Sequence, residues 1–87
     1  MKKVIKFYAD WCGPCRVYAK TFDKVSEELK SDIEFVNVNI EADTEQLSKE
    51  YKVTGIPLTV VISENGDKRQ KAGRMTEEKL IEFIKSE

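Results

Sequence analysis

Trp11-Cys12-Gly13-Pro14-Cys15 contains both cysteines of an 87-residue chain, and thiols at C-x-x-C spacing are placed to make and break a disulfide with each other. Both sulfurs of such a pair fit on the first turn of a helix. Pro14 sits where a helix accepts proline, because the first helical N–H groups have no intrahelical partner. Those same N–H groups and the helix dipole put positive potential beside Cys12 and favour its thiolate. An unperturbed thiol of pKa about 8.5 is roughly 3% ionised at pH 7, and one tuned to about 7 is half ionised, a gain of roughly sixteenfold. Nucleophilicity falls with pKa along a Brønsted slope of about 0.4–0.5, which takes back roughly fivefold. The advantage left in attack is about threefold. The larger benefits are therefore a good leaving group and a second thiol held close. In this scheme Cys12 attacks a target disulfide and Cys15 displaces the reduced target.

Other uses of the two thiols fit less well. A four-ligand zinc site needs partners that a chain with no histidine and no third cysteine lacks, short of a dimer or unusual carboxylates. A purely structural bridge over so short a loop removes little chain entropy. A net charge of -1 gives no broad basic surface for nucleic acid. No apolar run approaches the ~20 residues that span a bilayer. Lys2-Lys3 resembles the start of a secretory signal, but Lys6 interrupts the apolar stretch and no small-residue cleavage site follows. A cysteine pair without a disulfide framework suits a reducing compartment, so the chain reads as cytoplasmic. Its length suits one domain over residues 1–87. A domain this small takes substrates and electrons from other proteins, with no bound cofactor required.

The elements that must hold the cysteines are legible in the hydrophobic pattern. Lys3 to Tyr8 reads as a strand, and from about Pro14 to Lys30 the residues Tyr18, Phe22, Val25 and Leu29 recur at helical spacing. Ile33 to Ile40 reads as a second strand. Asp43 or Thr44 can cap a shorter helix on which Leu47 and Tyr51 share a face. Leu58 to Ser63 and Lys68 to Ala72 flank Glu64-Asn65-Gly66-Asp67, a strong hairpin signal. Thr76 caps a last helix with Glu77 and Glu78 in its first turn, and Met75 and Leu80 occupy the two positions of a hydrophobic staple. Leu80, Phe83 and Ile84 then face the sheet. This order predicts an α/β fold: a parallel strand pair joined by a right-handed crossover, extended by an antiparallel hairpin into a four-stranded mixed sheet between helices.

Phe7-Tyr8-Ala9-Asp10-Trp11-Cys12-Gly13-Pro14-Cys15, then Gly55-Ile56-Pro57, then Gly73 before the last helix, together resemble the thioredoxin family from Lys3 nearly to the C-terminus. The resemblance implies a thioredoxin-like β-α-β-α-β-β-α domain that acts as a protein-disulfide reductase, with a redox-active Cys12–Cys15 disulfide. It also implies a cis Ile56–Pro57 bond facing the cysteines. Trp11, Gly13, Pro14, Ile56, Pro57 and Gly73 would form the docking surface. Electrons would come from a flavin-dependent thioredoxin reductase and pass to disulfide-containing target proteins, ribonucleotide reductase among the candidates, with the protein working as a monomer.

The chain also departs from the family pattern. It begins at the strand leading into the cysteines, without the usual first strand and helix, so the sheet should lose its outermost strand. Lys6 stands where the family has a buried aspartate below the second cysteine, and Asn37 where it has that aspartate's lysine partner. Lys20 replaces a kinking proline, which predicts a straighter helix. Arg74 replaces a small residue beside the groove and would direct partner choice towards acidic surfaces. A buried, neutral Lys6 could accept the proton of Cys15; the blander expectation is a packed stem with its ammonium reaching solvent. Trp11 is read as a partly exposed contact, with a core aromatic as the alternative, and Asp10 as either a surface residue or a modulator of Cys12. Two further functions stay open: a glutathione-dependent glutaredoxin-like reductase, against which Gly55-Ile56-Pro57 and Gly73-Arg74 argue, and a thioredoxin-fold binding module whose redox centre is incidental.

Overall fold

A computed structural model describes residues 1–43 and 45–86. The elements are β1 (Lys2–Tyr8), α1 (Gly13–Leu29), β2 (Ile33–Asn39), a 3-10 turn (Ile40–Ala42), α2 (Leu47–Glu50), β3 (Leu58–Ile62), β4 (Lys68–Ala72) and α3 (Glu77–Lys85). They build one four-stranded mixed sheet in the order β2-β1-β3-β4, the predicted architecture. β1 and β2 run parallel from Lys2 opposite Ile33 to Tyr8 opposite Asn39, joined by α1. β3 lies antiparallel to β1, and β4 antiparallel to β3.

β1 is central, and Val4 to Phe7 are all buried. Alternate residues of the strand serve opposite faces of the sheet. Val4 joins Tyr18, Phe22, Val25, Val61, Leu80 and Ile84 in the layer beneath α1 and α3. Ile5 and Phe7 join Val38, Leu58 and Val60 on the other face, against which Leu47 and Tyr51 pack. Each such fully buried side chain contributes roughly 1.5–3 kcal/mol of transfer free energy, so the strand feeding the cysteines is firmly anchored, as is its neighbour β3, buried from Leu58 to Val61. α1 runs unbroken through Lys20.

The chain's turns follow its local chemistry with two adjustments. The hairpin forms where expected, but only Gly66 of its Asn-Gly pair has positive φ, at 93°. The turn is closed by Gly66 N–H to Ser63 O at 2.9 Å and Ser63 N–H to Asp67 O at 2.8 Å, a glycine bulge rather than the two-residue loop in which both central residues are left-handed. α2 is shorter than its pattern suggests. Asp43 does accept the Leu47 and Ser48 N–H groups, at 3.0 and 2.6 Å, and the Ser48 bond holds its carboxyl below the usual range; the alternative cap, Thr44, lies outside the described residues. Gln46 and Lys52 bracket α2 with left-handed φ of 56° and 53°, a conformation that costs a side chain about 1–2 kcal/mol and breaks helical propagation on both sides. At α3 the expected devices are all present. Thr76 accepts the Lys79 N–H at 3.2 Å, and Met75 and Leu80 are both buried in one cluster.

Lys6 overturns the solvent-seeking expectation: the residue is only 3% exposed. It lies on the α1 face of β1, opposite Thr59 of β3. Its ammonium rests 5.0 Å from the ring centres of both Tyr8 and Phe22, where cation–π attraction offsets part of the lost hydration. Burial pushes its pKa below the ordinary lysine value, partly opposed by the Asp23 carboxylate. On the same face the Tyr18 hydroxyl pairs with that of Thr59 at 2.7 Å, and burial pushes the Tyr18 phenol up to about 12.

These two groups generate tests of stability. The unfolded chain binds the Lys6 proton more tightly than the folded one, so the charge penalty is full below the folded pKa and fades as pH rises towards 10.5. Lys6→Met should therefore raise the unfolding free energy by about 1–3 kcal/mol at pH 7, and urea titrations at increasing pH should show the gap narrowing. Tyr18→Phe should cost roughly 1–2 kcal/mol by leaving Thr59 without its partner. It should also remove the tyrosinate absorbance step near about 12.

Candidate active site

β1 delivers the chain to the amino end of α1 through a tight turn. The Ala9 carbonyl accepts the Cys12 N–H at 3.2 Å, and Cys12 takes the extended N-cap conformation, φ −86° and ψ 111°. Gly13 and Pro14 are the first helical residues, where a missing N–H is harmless. The Cys12 sulfur accepts the Cys15 N–H at 3.2 Å and so fills the cap role usually taken by an oxygen. No acidic residue occupies the first turn of α1, so nothing there offsets the positive end of the helix. Cys12 and Cys15 are joined as a disulfide, with Cα atoms 5.2 Å apart. They pack with Ala9 against Tyr8, Ile40 and Ile56. Cys12 is 6% exposed and Cys15 2%, so Cys12 is the less deeply buried residue of the pair.

Two other segments face this pair. Ile56–Pro57 is a cis peptide bond, as the family resemblance implied, and the Ile56 carbonyl oxygen lies 3.9 Å from the Cys12 sulfur. The Pro57 carbonyl accepts the Gly73 N–H at 2.8 Å, which draws the β4–α3 turn to the same end of the sheet. Gly73 has φ 91°, a conformation that side chains rarely adopt, although the space for a Cβ is open. Trp11 is 64% exposed, a surface aromatic and not a core one. Gly13 and Pro14 are exposed beside it.

The residues singled out as modulators separate into two groups. Tyr8, Asp10, Cys15, Arg16 and Ala19 line a cavity of about 250 Å³, and the Lys6 ammonium sits over the Tyr8 ring, so Lys6 and Asp10 both adjoin the inner cysteine's surroundings. Asn37 does not. It is exposed on β2, opposite Lys6 in register, and lines a different hollow with Val36, Asn39 and Asp43. The motif reading missed Asn39, whose amide donates to the Asp10 carboxylate at 3.5 Å while its oxygen accepts the Glu41 N–H at 3.0 Å. An asparagine at a strand end before Ile-Glu is a cap signal that could have found it. It also missed Ile40, which packs on the disulfide, and Val17, an apolar residue 53% exposed on the first turns of α1. Among the described residues no group of three or more His, Cys, Asp or Glu side chains is arranged to hold a metal. No helix among them is long and apolar enough to cross a membrane.

The family model described as Thioredoxin matches residues 1–86. The chain is similar to the thioredoxin of Mycoplasma genitalium, 37% identical over 93% of this chain and 78% of that one. To the thioredoxin of Mycoplasma pneumoniae it is 34% identical, over 95% and 79% respectively. Among solved structures, the X-ray structure of Fasciola hepatica thioredoxin superposes with a TM-score of 0.82 at 32% identity, covering 95% of this chain and 77% of that one. The chain therefore belongs to the thioredoxin family, whose members work with thioredoxin reductase and disulfide-bearing targets, and it is a thioredoxin-type protein-disulfide reductase with a redox-active cysteine pair.

Proposed function

We propose that Cys12 is the attacking thiol and Cys15 the resolving one. The observation that carries this assignment is the asymmetry of the pair at the helix end: the Cys12 sulfur is the cap that accepts the Cys15 N–H, and Cys12 is the less deeply buried residue, at 6% exposure against 2%. With the pair reduced, the Cys12 thiolate attacks one sulfur of a target disulfide. A bond forms between Cys12 and the target, and the target's other sulfur leaves as a thiolate that takes up a proton. Cys15 then gives up its proton and attacks the Cys12 sulfur. The mixed disulfide breaks, the target leaves as a dithiol, and the Cys12–Cys15 bond is restored. Two electrons have moved to the target, and a reductase must return them.

Trp11, Gly13, Pro14, Ile56, Pro57 and Gly73 form the docking surface in this reading. Its support is the 3.9 Å separation of the Ile56 carbonyl from the Cys12 sulfur and the Gly73 bond to Pro57, with the exposed indole of Trp11 immediately before Cys12 in the chain. Lys6 and Asp10 act as modulators through the surroundings of Cys15, and Asn37 at most indirectly, through the edge strand. A charged Lys6 stabilises thiolates and so raises the reduction potential, in which about 30 mV is worth ~1.4 kcal/mol. The protein works as a single-domain monomer in the cytoplasm, without a bound cofactor, taking electrons from a flavin-dependent thioredoxin reductase. Ribonucleotide reductase is a fitting recipient class.

Insulin-disulfide reduction, driven separately by thioredoxin reductase and by glutathione, tests the donor; a sustained rate with glutathione alone would reverse the reading in favour of a glutaredoxin-like enzyme. Cys12→Ser should abolish activity. Cys15→Ser should halt turnover and leave a mixed disulfide on Cys12 that mass spectrometry detects under non-reducing conditions. Trapping by Cys12→Ser instead would exchange the two roles.

A further inference from the structure

We infer that the surface between β4 and α3 extends the docking groove as a specificity site for acidic target segments. The inference rests on the disulfide-reductase reading and adds the chemistry of the preferred substrate. A hollow of about 500 Å³ lies there, lined by Lys71, Arg74, Lys79 and Glu82 around Met75 and Phe83. Lys71, Arg74 and Lys79 are exposed. Among the described residues none of the three forms an ion pair, whereas Lys24 and Lys30 each do. The neighbouring cation Arg69 is differently used: it donates to the Phe83 carbonyl at 2.7 Å and stacks over the Phe83 ring at 5.0 Å. Three uncommitted cations against one carboxylate, on a chain whose net charge is -1, make this a local positive field. An apolar floor lies beneath it.

Its place in the fold connects it to the cysteines. Gly73, bonded through its N–H to the Pro57 carbonyl, immediately precedes Arg74, and Ile56 before Pro57 faces the Cys12 sulfur. A target segment lying across Ile56–Pro57 therefore continues past Gly73 onto the cationic rim. Carboxylates there gain attraction from all three side chains, while an apolar residue can rest on Phe83. Complementary charge of this kind acts mainly on encounter and partner choice. The occupant is an Asp/Glu-bearing segment flanking the target's disulfide cysteine.

The test measures single-turnover reduction of two disulfide peptides by the pre-reduced protein, with no reductase present. The peptides differ only in whether Asp and Glu or Asn and Gln flank one cysteine. The acidic peptide should react about 5- to 10-fold faster at low salt, given that an exposed charge pair is worth up to roughly fivefold, and the ratio should fall as salt rises. Arg74→Glu should invert the preference, and Lys71→Ala with Lys79→Ala should bring the ratio towards one. Equal rates for the two peptides, with both reduced, would overturn the groove and leave the reductase intact; failure to reduce either would overturn both. A ratio unmoved by the variants would overturn the inference, and a second assay, re-reduction of the same variants by thioredoxin reductase, would assign the surface to the electron donor if only that step slowed.

Discussion

The Cys12 sulfur is at once the cap of α1 and half of the reactive bond, and the rest of the molecule exists to keep that coincidence in register. Its hydrogen bond from the Cys15 N–H forms only if the helix begins at Gly13. That start is fixed by the turn at Ala9, and the turn in turn by β1. β1 is paired on both sides and buried from Val4 to Phe7. A slip of one residue would turn every one of its side chains to the wrong face, so the register of one strand sets the position of the sulfur.

The same central strand carries the least comfortable residue in the fold. A lysine over two aromatic rings, a hydroxyl pair between Tyr18 and Thr59, and an aspartate on α1 that pulls against desolvation give the layer beneath α1 a polar interior. An aliphatic residue would pack there without a charge to desolvate. Local rules are most often broken where function gains from the breach, and Lys6 lies next to Tyr8, which borders the cavity reached by Cys15. Among the described residues the opposite face of the sheet, built on Ile5, Phe7, Val38 and Val60, buries no charged side chain. The polar interior lies on the side of α1, the helix that holds the sulfurs.

Much of this was legible in the chain because it depends on neighbours in sequence. The helix beginning at the motif, the Thr76 cap with its Met75–Leu80 staple, and the strands either side of Asn65-Gly66 follow from spacing and from side chains that bond or pack within a few residues. Failures of the pattern mark where distant contacts decide. α2 shrank to Leu47–Glu50 because left-handed residues bracket it. The hairpin kept its place but adopted a bulge, since turn type answers to the twist of the paired strands. Asn37, opposite Lys6 in register, stands exposed on the edge strand β2 and lines a hollow apart from the cysteines, a placement that only strand pairing decides.

Composition and spacing alone thus established the chemistry, the order of elements and most of their ends, since capping, periodicity and thiol reactivity are local properties. Folding in three dimensions decided which segments confront the Cys12 sulfur. The cis Ile56–Pro57 bond with its carbonyl facing Cys12, the tie from Gly73 to Pro57 and the enclosure of Lys6 bring together residues far apart in the chain. The energies that select those arrangements arise only once β1 has been flanked on both sides and roofed by α1.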